Sequence, residues 1–332
     1  MNAVEEDIRK GTYRRVYLLC GEEDYLKDYY ANALQKALIP TGDTINLNRY
    51  SGKEADTAVL ISQSETLPFF SDHRLIMVRD SGMFRRGGDA LAEYCRNIPE
   101  TTVFLFVESD IDKRSRLFKA VRTCGTVLEL NHQKADALTG WIVRRLQREN
   151  KQIQRGAVQL LLERAGDDMY ILSNELNKLI AFTGEREGIT REDVDRVCIE
   201  QLESKVFKMI EAAASGDKEK AFSMYRDLVF LREPPLRILA VISAHFRRLL
   251  LVRDLRDQGY DRQSIENRTG MQSFVLRGLV GQAEYFDAAA IRSILSQCAS
   301  ADEMIKTGRM NDQTAVEMVL VRICLRKKNA SV

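Results

Sequence analysis

The sequence predicts an α/β region with a mainly parallel sheet over roughly the first 130 residues, followed by two all-helical regions. Three observations carry that prediction. Val16-Tyr17-Leu18-Leu19-Cys20, Leu75-Ile76-Met77-Val78 and Thr102-Val103-Phe104-Leu105-Phe106-Val107 are short, continuous apolar runs, the pattern of strands buried on both faces of a sheet. Helical patterns separate these runs, as crossovers between parallel strands require. Beyond about His132 the strand signal stops, and amphipathic helical stretches follow to the end of the chain.

Taken in order, the Val16–Cys20 strand is stopped by Gly21. A helix follows, with Tyr25, Leu26, Tyr29, Tyr30, Ala33, Leu34 and Leu38 at three- and four-residue spacing, ended by Pro40. Thr44 to Tyr50 alternates and reads as a second strand, and Ala55 to Ser64 as a helix. Leu75–Val78, Thr102–Val107 and Val127–Leu130 complete the strands. The second region, about seventy residues, holds helices over Ala135 to Glu149, Arg155 to Ala165 and Asp168 to Phe182. Gly166 and Gly184 stand at C-terminal caps, and Thr190-Arg191-Glu192-Asp193 is a capping box with Asp in place of Glu. In the third region Pro234 and Pro235 suit the first turn of a long helix reaching about Asp257. Its Ile238-Leu239-Ala240-Val241-Ile242 run makes that helix central. Ile291, Ile294, Leu295, Cys298, Ala301 and Ile305 form a stripe on a later helix, and Met318 to Ile323 make the last one mostly buried. A bundle of five or six helices is expected. The corresponding domain edges are 1–131, 132–203 and 204–332.

Composition narrows the function classes. The formal net charge is +2 although 30% of the 332 residues are charged, a balance that argues against a polyelectrolyte nucleic-acid binder while permitting local basic patches. No apolar run reaches membrane-spanning length, and the acidic start Met1-Asn2-Ala3-Val4-Glu5-Glu6-Asp7 lacks the features of a signal peptide. Cys20, Cys95, Cys124, Cys198, Cys298 and Cys324 include no C-x-x-C pair, so a reduced, cytoplasmic protein is expected. His73, His132 and His245 are far apart, and neither they nor the cysteines show ligand spacing, so no metal is expected.

A strand, a glycine and a helix is where a nucleotide-binding α/β protein places its phosphate loop. That chemistry needs several glycines to free backbone N–H groups, a lysine, and a Ser or Thr for magnesium. Here Gly21 is followed by Glu22, Glu23 and Asp24. Three carboxylates at a helix N-terminus satisfy the helix dipole themselves and repel a triphosphate. Lys27 lacks the adjacent hydroxyl residue, and Glu108, after the Thr102–Val107 strand, has no phosphate loop to work with. Neither a G-x-S-x-G elbow nor an ordered Ser/His/Asp set is present. The chain is therefore expected to act by binding, without catalytic residues or a cofactor. The positive signal is Leu67-Pro68-Phe69-Phe70-Ser71. Pro68 disfavours continuation of the preceding helix, and Leu67, Phe69 and Phe70 share a segment too short to hide all three. They either cap the core of the sheet or form an exposed apolar wedge for a partner's pocket.

These residues carry a family resemblance. The Val16–Cys20 strand running into Gly21-Glu22-Glu23-Asp24-Tyr25-Leu26, Leu67-Pro68-Phe69-Phe70-Ser71 before Leu75–Val78, and Ile305-Lys306-Thr307-Gly308-Arg309 before Glu317-Met318-Val319-Leu320 resemble the delta subunits of the bacterial DNA polymerase III clamp loader. The resemblance spans essentially the whole chain and lies in the order and spacing of its marks. It implies an AAA+-like first domain with a degenerate phosphate loop, a helical lid and a C-terminal helical collar in a five-subunit ring. The partners it implies are the sliding clamp (beta), gamma/tau and delta-prime type subunits, and primer–template DNA through the assembled complex. Delta subunits bind the clamp without hydrolysing ATP and hold its ring open, inserting an apolar tip into a pocket on it. The matching tip here is Phe69 and Phe70 with Leu67 beside them, and Phe69 stands where leucine is common. The relatives' phosphate loop and Ser-Arg-Cys arginine finger are both missing from this chain.

Two other classes are weighed against this one. A divergent nucleotide-hydrolysing protein would use Lys27 and Glu108. A DNA-binding adaptor would use Arg85-Arg86-Gly87-Gly88 and Arg326-Lys327-Lys328, although neither cluster has aromatic interleaving.

Overall fold

The computed structural model describes residues 2–325, and the chain divides into two compact units, Met1–Gln133 and Lys134–Val332. The basic Arg326-Lys327-Lys328 cluster lies outside the described residues.

The first unit opens with α1 (Ala3–Lys10), started by an Asn2–Glu5 capping box within the acidic N-terminal stretch. Then come β1 (Val16–Cys20), α2 (Asp24–Leu38), β2 (Leu47–Ser51), α3 (Thr57–Ser64), β3 (Arg74–Arg79), α4 (Asp89–Tyr94), β4 (Thr102–Glu108), α5 (Arg116–Cys124) and β5 (Thr126–Glu129). All five strands pair in parallel, in the order β2-β3-β4-β1-β5. β1 and β4 are buried at every position because both faces are covered. Val16, Leu18, Phe104 and Phe106 face α3, α4 and α5 through Leu60, Leu91, Phe118 and Val121. Tyr17, Leu19, Val103, Leu105 and Val107 face α1 and α2 through Val4, Ala31, Leu34 and Leu38. The two-sided burial explains why these strands read as unbroken apolar runs.

β2 begins at Leu47 rather than at Thr44. The Asp43 carboxylate accepts from the backbone N–H groups of Ile45 (2.9 Å) and Asn46 (3.0 Å). That turn competes with the strand ladder until residue 47.

The second unit begins with α6 (Ala135–Gln147), β6 (Gln152–Ile153), α7 (Arg155–Ala165), α8 (Met169–Thr183), β7 (Gly188–Ile189) and α9 (Arg191–Val197). The capping box forms as expected, Thr190 accepting from the Asp193 N–H and the Asp193 carboxylate from the Thr190 N–H. The expectation that strands end near His132 is corrected by β6 and β7, which pair in parallel over two residues each. So short a pair carries no period that a sequence pattern can register.

A single apolar core then unites α10 (Leu202–Ser215), α11 (Lys218–Phe230), α12 (Pro235–Asp257), α13 (Arg262–Thr269), α14 (Ser273–Ala283), α15 (Ala288–Lys306) and α16 (Asp312–Cys324). Among the described residues the bundle thus has seven helices, not five or six. The added turn is Gly270, whose φ of 68° ends α13 before α14 starts. α12 is central, packing against α10, α14, α15 and α16. The last helix is less buried than expected: Val319, Leu320 and Ile323 enter the core, while Met318 and Val321 stay exposed.

Candidate functional site

The phosphate-loop position is built at the C-terminal end of β1, and its chemical groups are already engaged within the chain. Gly21 has φ 118°, and a Cβ there would stand 2.3 Å from the Leu130 carbonyl oxygen. The loop needs glycine for this close approach to the Leu130 carbonyl that follows β5. Glu23 N donates to that Leu130 carbonyl at 2.9 Å, so an amide that a phosphate would need is spent on backbone. The buried Glu23 carboxylate approaches His132 Nδ1 at 3.3 Å, and Glu22 stands 3.9 Å from His132 Nε2.

The two residues of the hydrolase alternative each engage partners of their own. Lys27 is only 1% exposed, with Nζ on Asp24 Oδ1 at 2.8 Å and on Ser109 Oγ at 2.9 Å, beside Glu108. The buried Glu108 carboxylate accepts from Ser81 N (3.0 Å), Ser81 Oγ (2.5 Å) and Gly82 N (3.4 Å). Burial pushes its pKa up, opposed by these hydrogen bonds. Ammonium and carboxylate each close a loop end. The basic loop is partly neutralised as well, with Arg85 on Asp110 at 2.7 Å.

Leu67, Phe69 and Phe70 lie on the link from α3 to β3, at the strand-start end of the parallel sheet and hence opposite the Gly21 loop. They do not cap the core. Leu67 is 75% exposed, Phe69 57% and Phe70 95%. The two rings meet edge to face with centroids 4.5 Å apart, a favoured aromatic arrangement. Phe70 holds φ at 48°, one of four non-glycine residues with positive φ among the described residues. A bulky residue in that region costs on the order of 1–3 kcal/mol and persists only where its surroundings impose it.

The surroundings are two buried polar side chains that the sequence reading missed, Asn46 and Arg74, which hydrogen-bond the backbone of residues 66–69. The only hint of them in the sequence is the Asp43-x-x-Asn46 turn pattern and an arginine opening an apolar strand. Neither is specific enough to find them.

Comparison with known proteins agrees with this architecture. The family model described as DNA polymerase III, delta subunit, matches residues 17–131, and the model for the C-terminal domain of the same family matches residues 203–323. The chain belongs to the DNA polymerase III delta subunit family. A middle-domain model matches residues 134–196 of this delta-family chain. DNA polymerase III subunit delta of Bacillus subtilis is 26% identical over 98% of this chain and 97% of its own length. A probable DNA polymerase III subunit delta of Aquifex aeolicus is 22% identical, over 79% of this chain and 77% of its own. A solved structure of the DNA clamp loader delta protein of Bacillus subtilis superposes with a TM-score of 0.77 and 26% identity. It covers 97% of this chain and 99% of that one. The first unit of this delta-family chain is thus a five-stranded parallel α/β fold, and the helical remainder follows the same solved relative.

Proposed function

We propose that this delta-family chain is the clamp-binding subunit of a DNA polymerase III clamp loader. It docks Leu67, Phe69 and Phe70 on one protomer of the ring-shaped sliding clamp and holds an interface of that ring open for primer–template DNA. The observation that carries this reading is an apolar tip exposed to solvent and built around a strained Phe70. Fully burying each such side chain contributes roughly 1.5–3 kcal/mol, enough for three to anchor an interface. The name of the solved relative, a clamp loader delta protein, supports the same assignment.

ATP hydrolysis belongs to other subunits in this proposal. The internal pairing of Lys27 with Asp24 and Ser109, and of Glu108 with Ser81, supports that division of labour. The chain divides at 1–131, 132–203 and 204–332 into an α/β domain, a lid and a collar. The collar joins gamma/tau and delta-prime type subunits in a hetero-pentamer in the cytoplasm. The exposed Met318, Val321 and Leu325, bordering a groove between α15 and α16, suit such a contact. ATP bound by neighbouring subunits exposes or hides the tip through ring geometry, which requires different tip contacts in the two loader states. Among the described residues no helix is long and apolar enough to cross a membrane.

The deciding experiment is capture of the same organism's sliding clamp by the full-length chain and by a Phe69→Ala/Phe70→Ala variant. Capture by the parent chain and its loss in the variant are expected; equal capture by both refutes the proposal.

A further inference from the structure

We infer that Asn46 and Arg74 are positioning residues that hold the apolar tip in its docking shape before any partner arrives. The inference rests on the proposal that the tip docks on the sliding clamp. Asn46 is buried, and its side-chain amide brackets Phe69 from both sides. Oδ1 accepts from Phe69 N at 2.7 Å, and Nδ2 donates to Phe69 O at 2.8 Å. Asp43 sets the amide's orientation, its Oδ2 accepting from Nδ2 at 2.6 Å. The Asn46 carbonyl accepts from Leu75 N at 2.8 Å, which ties the bracket to β3.

Arg74, the first residue of β3 and also buried, reaches the other end of the tip. Nε donates to Thr66 O at 3.0 Å and Nη2 to Leu67 O at 3.3 Å, while Nη1 donates to Asn48 Oδ1 at 2.9 Å and Ile45 O at 3.4 Å. The planar fork of a guanidinium suits several fixed acceptors at once. Together the two side chains hold Thr66 O, Leu67 O, and both backbone groups of Phe69. With Phe69 tied at both its N–H and its carbonyl, the turn back toward β3 falls on Phe70, which makes it at φ 48°. The strain and the exposure of Phe70 thus share one cause.

Preorganisation is the consequence. A loose tip would have to be ordered on docking, and fixing one residue's backbone weakens an association by about five- to thirtyfold. Removing the Asn46 bracket frees Phe69 and lets Phe70 relax to negative φ, turning the ring pair away from its docking pose.

The test measures clamp affinity by surface plasmon resonance for the full-length chain and for Asn46→Ala, Arg74→Lys and Phe69→Ala/Phe70→Ala, using the same organism's sliding clamp. Native-state hydrogen exchange of the Phe69 amide and thermal unfolding accompany each measurement. Asn46→Ala is expected to weaken binding about tenfold and to speed exchange at Phe69 while the amides of β1 and β4 keep their protection. Arg74→Lys, which keeps the charge but loses the fork, tests the other end without deleting a buried cation and should weaken binding several-fold. A purely structural role would lower the unfolding temperature and leave the affinity of the folded chain untouched. Wild-type affinity in Asn46→Ala and Arg74→Lys, with binding lost in the phenylalanine variant, overturns the positioning role and leaves the docking proposal standing. Wild-type affinity in the phenylalanine variant overturns the docking proposal itself.

Discussion

Replacing Phe69 and Phe70 together by alanine separates binding from folding sharply. Phe70 is 95% exposed and Phe69 57%, so most of their apolar surface is still available to a partner. Full burial of a phenylalanine is worth about 1.5–3 kcal/mol, and scaling by the exposed fractions gives about 2.3–4.6 kcal/mol for the pair, or roughly 50- to 2,000-fold in affinity. Their mutual edge-to-face contact exists in the free chain and adds nothing further on docking. The variant's own stability should move by less than about 0.5 kcal/mol, the usual range for a surface change. Strain at position 70 persists, since alanine also carries a Cβ. Surface plasmon resonance on immobilised clamp reads the first quantity and urea unfolding the second. Clamp affinity within threefold of the parent chain refutes the reasoning, and so does a large loss of stability, which would place the rings in a core.

Other predictions concern the interior. Burial lowers the pKa of His245 to about 4, against an opposing hydrogen bond to Gln282 Oε1 at 2.7 Å. The unfolded chain therefore binds the extra proton between about pH 6.5 and pH 4, and stability should fall by up to about 2–3 kcal/mol as pH drops through that window. Urea unfolding of the parent chain and of His245→Phe at pH 7 and pH 5 checks this; equal pH dependence in both contradicts it. Gly21→Ala forces a Cβ against the Leu130 carbonyl at φ 118° and should destabilise by about 2 kcal/mol or more by thermal unfolding, whereas a neutral result would refute the close approach. Isothermal calorimetry of the isolated chain with ATP and magnesium should show no saturable heat. Lys27→Met should lower stability by about 1–3 kcal/mol through the lost ammonium–hydroxyl bond. Nucleotide binding that Lys27→Met abolishes would reverse the assignment of Lys27 as structural.

Much of the architecture was legible because burial on both faces of β1, β3 and β4 leaves a pattern without polar interruptions. The helices announced themselves by capping residues, as at Thr190 and Asp193, or by Pro234 and Pro235. Elements whose stability comes from neighbours were harder to see. α1 begins in a short acidic stretch, β6 and β7 have two residues each, and the start of β2 is displaced by an Asp43 turn that a period count does not include. The division between α13 and α14 depended on one left-handed residue, Gly270, in a polar stretch.

By itself the sequence determined the layered α/β unit, the helical remainder, the loss of the phosphate loop and the chain's likeness to delta subunits. These depend on residue type and near-neighbour spacing. Only the tertiary structure decided whether Leu67, Phe69 and Phe70 faced inward or outward. That outcome depends on Asn46, some twenty residues earlier, and on Arg74 at the start of β3. Hydrogen bonds from two buried side chains, made across the chain, hold a short apolar segment away from the core that its composition would otherwise favour.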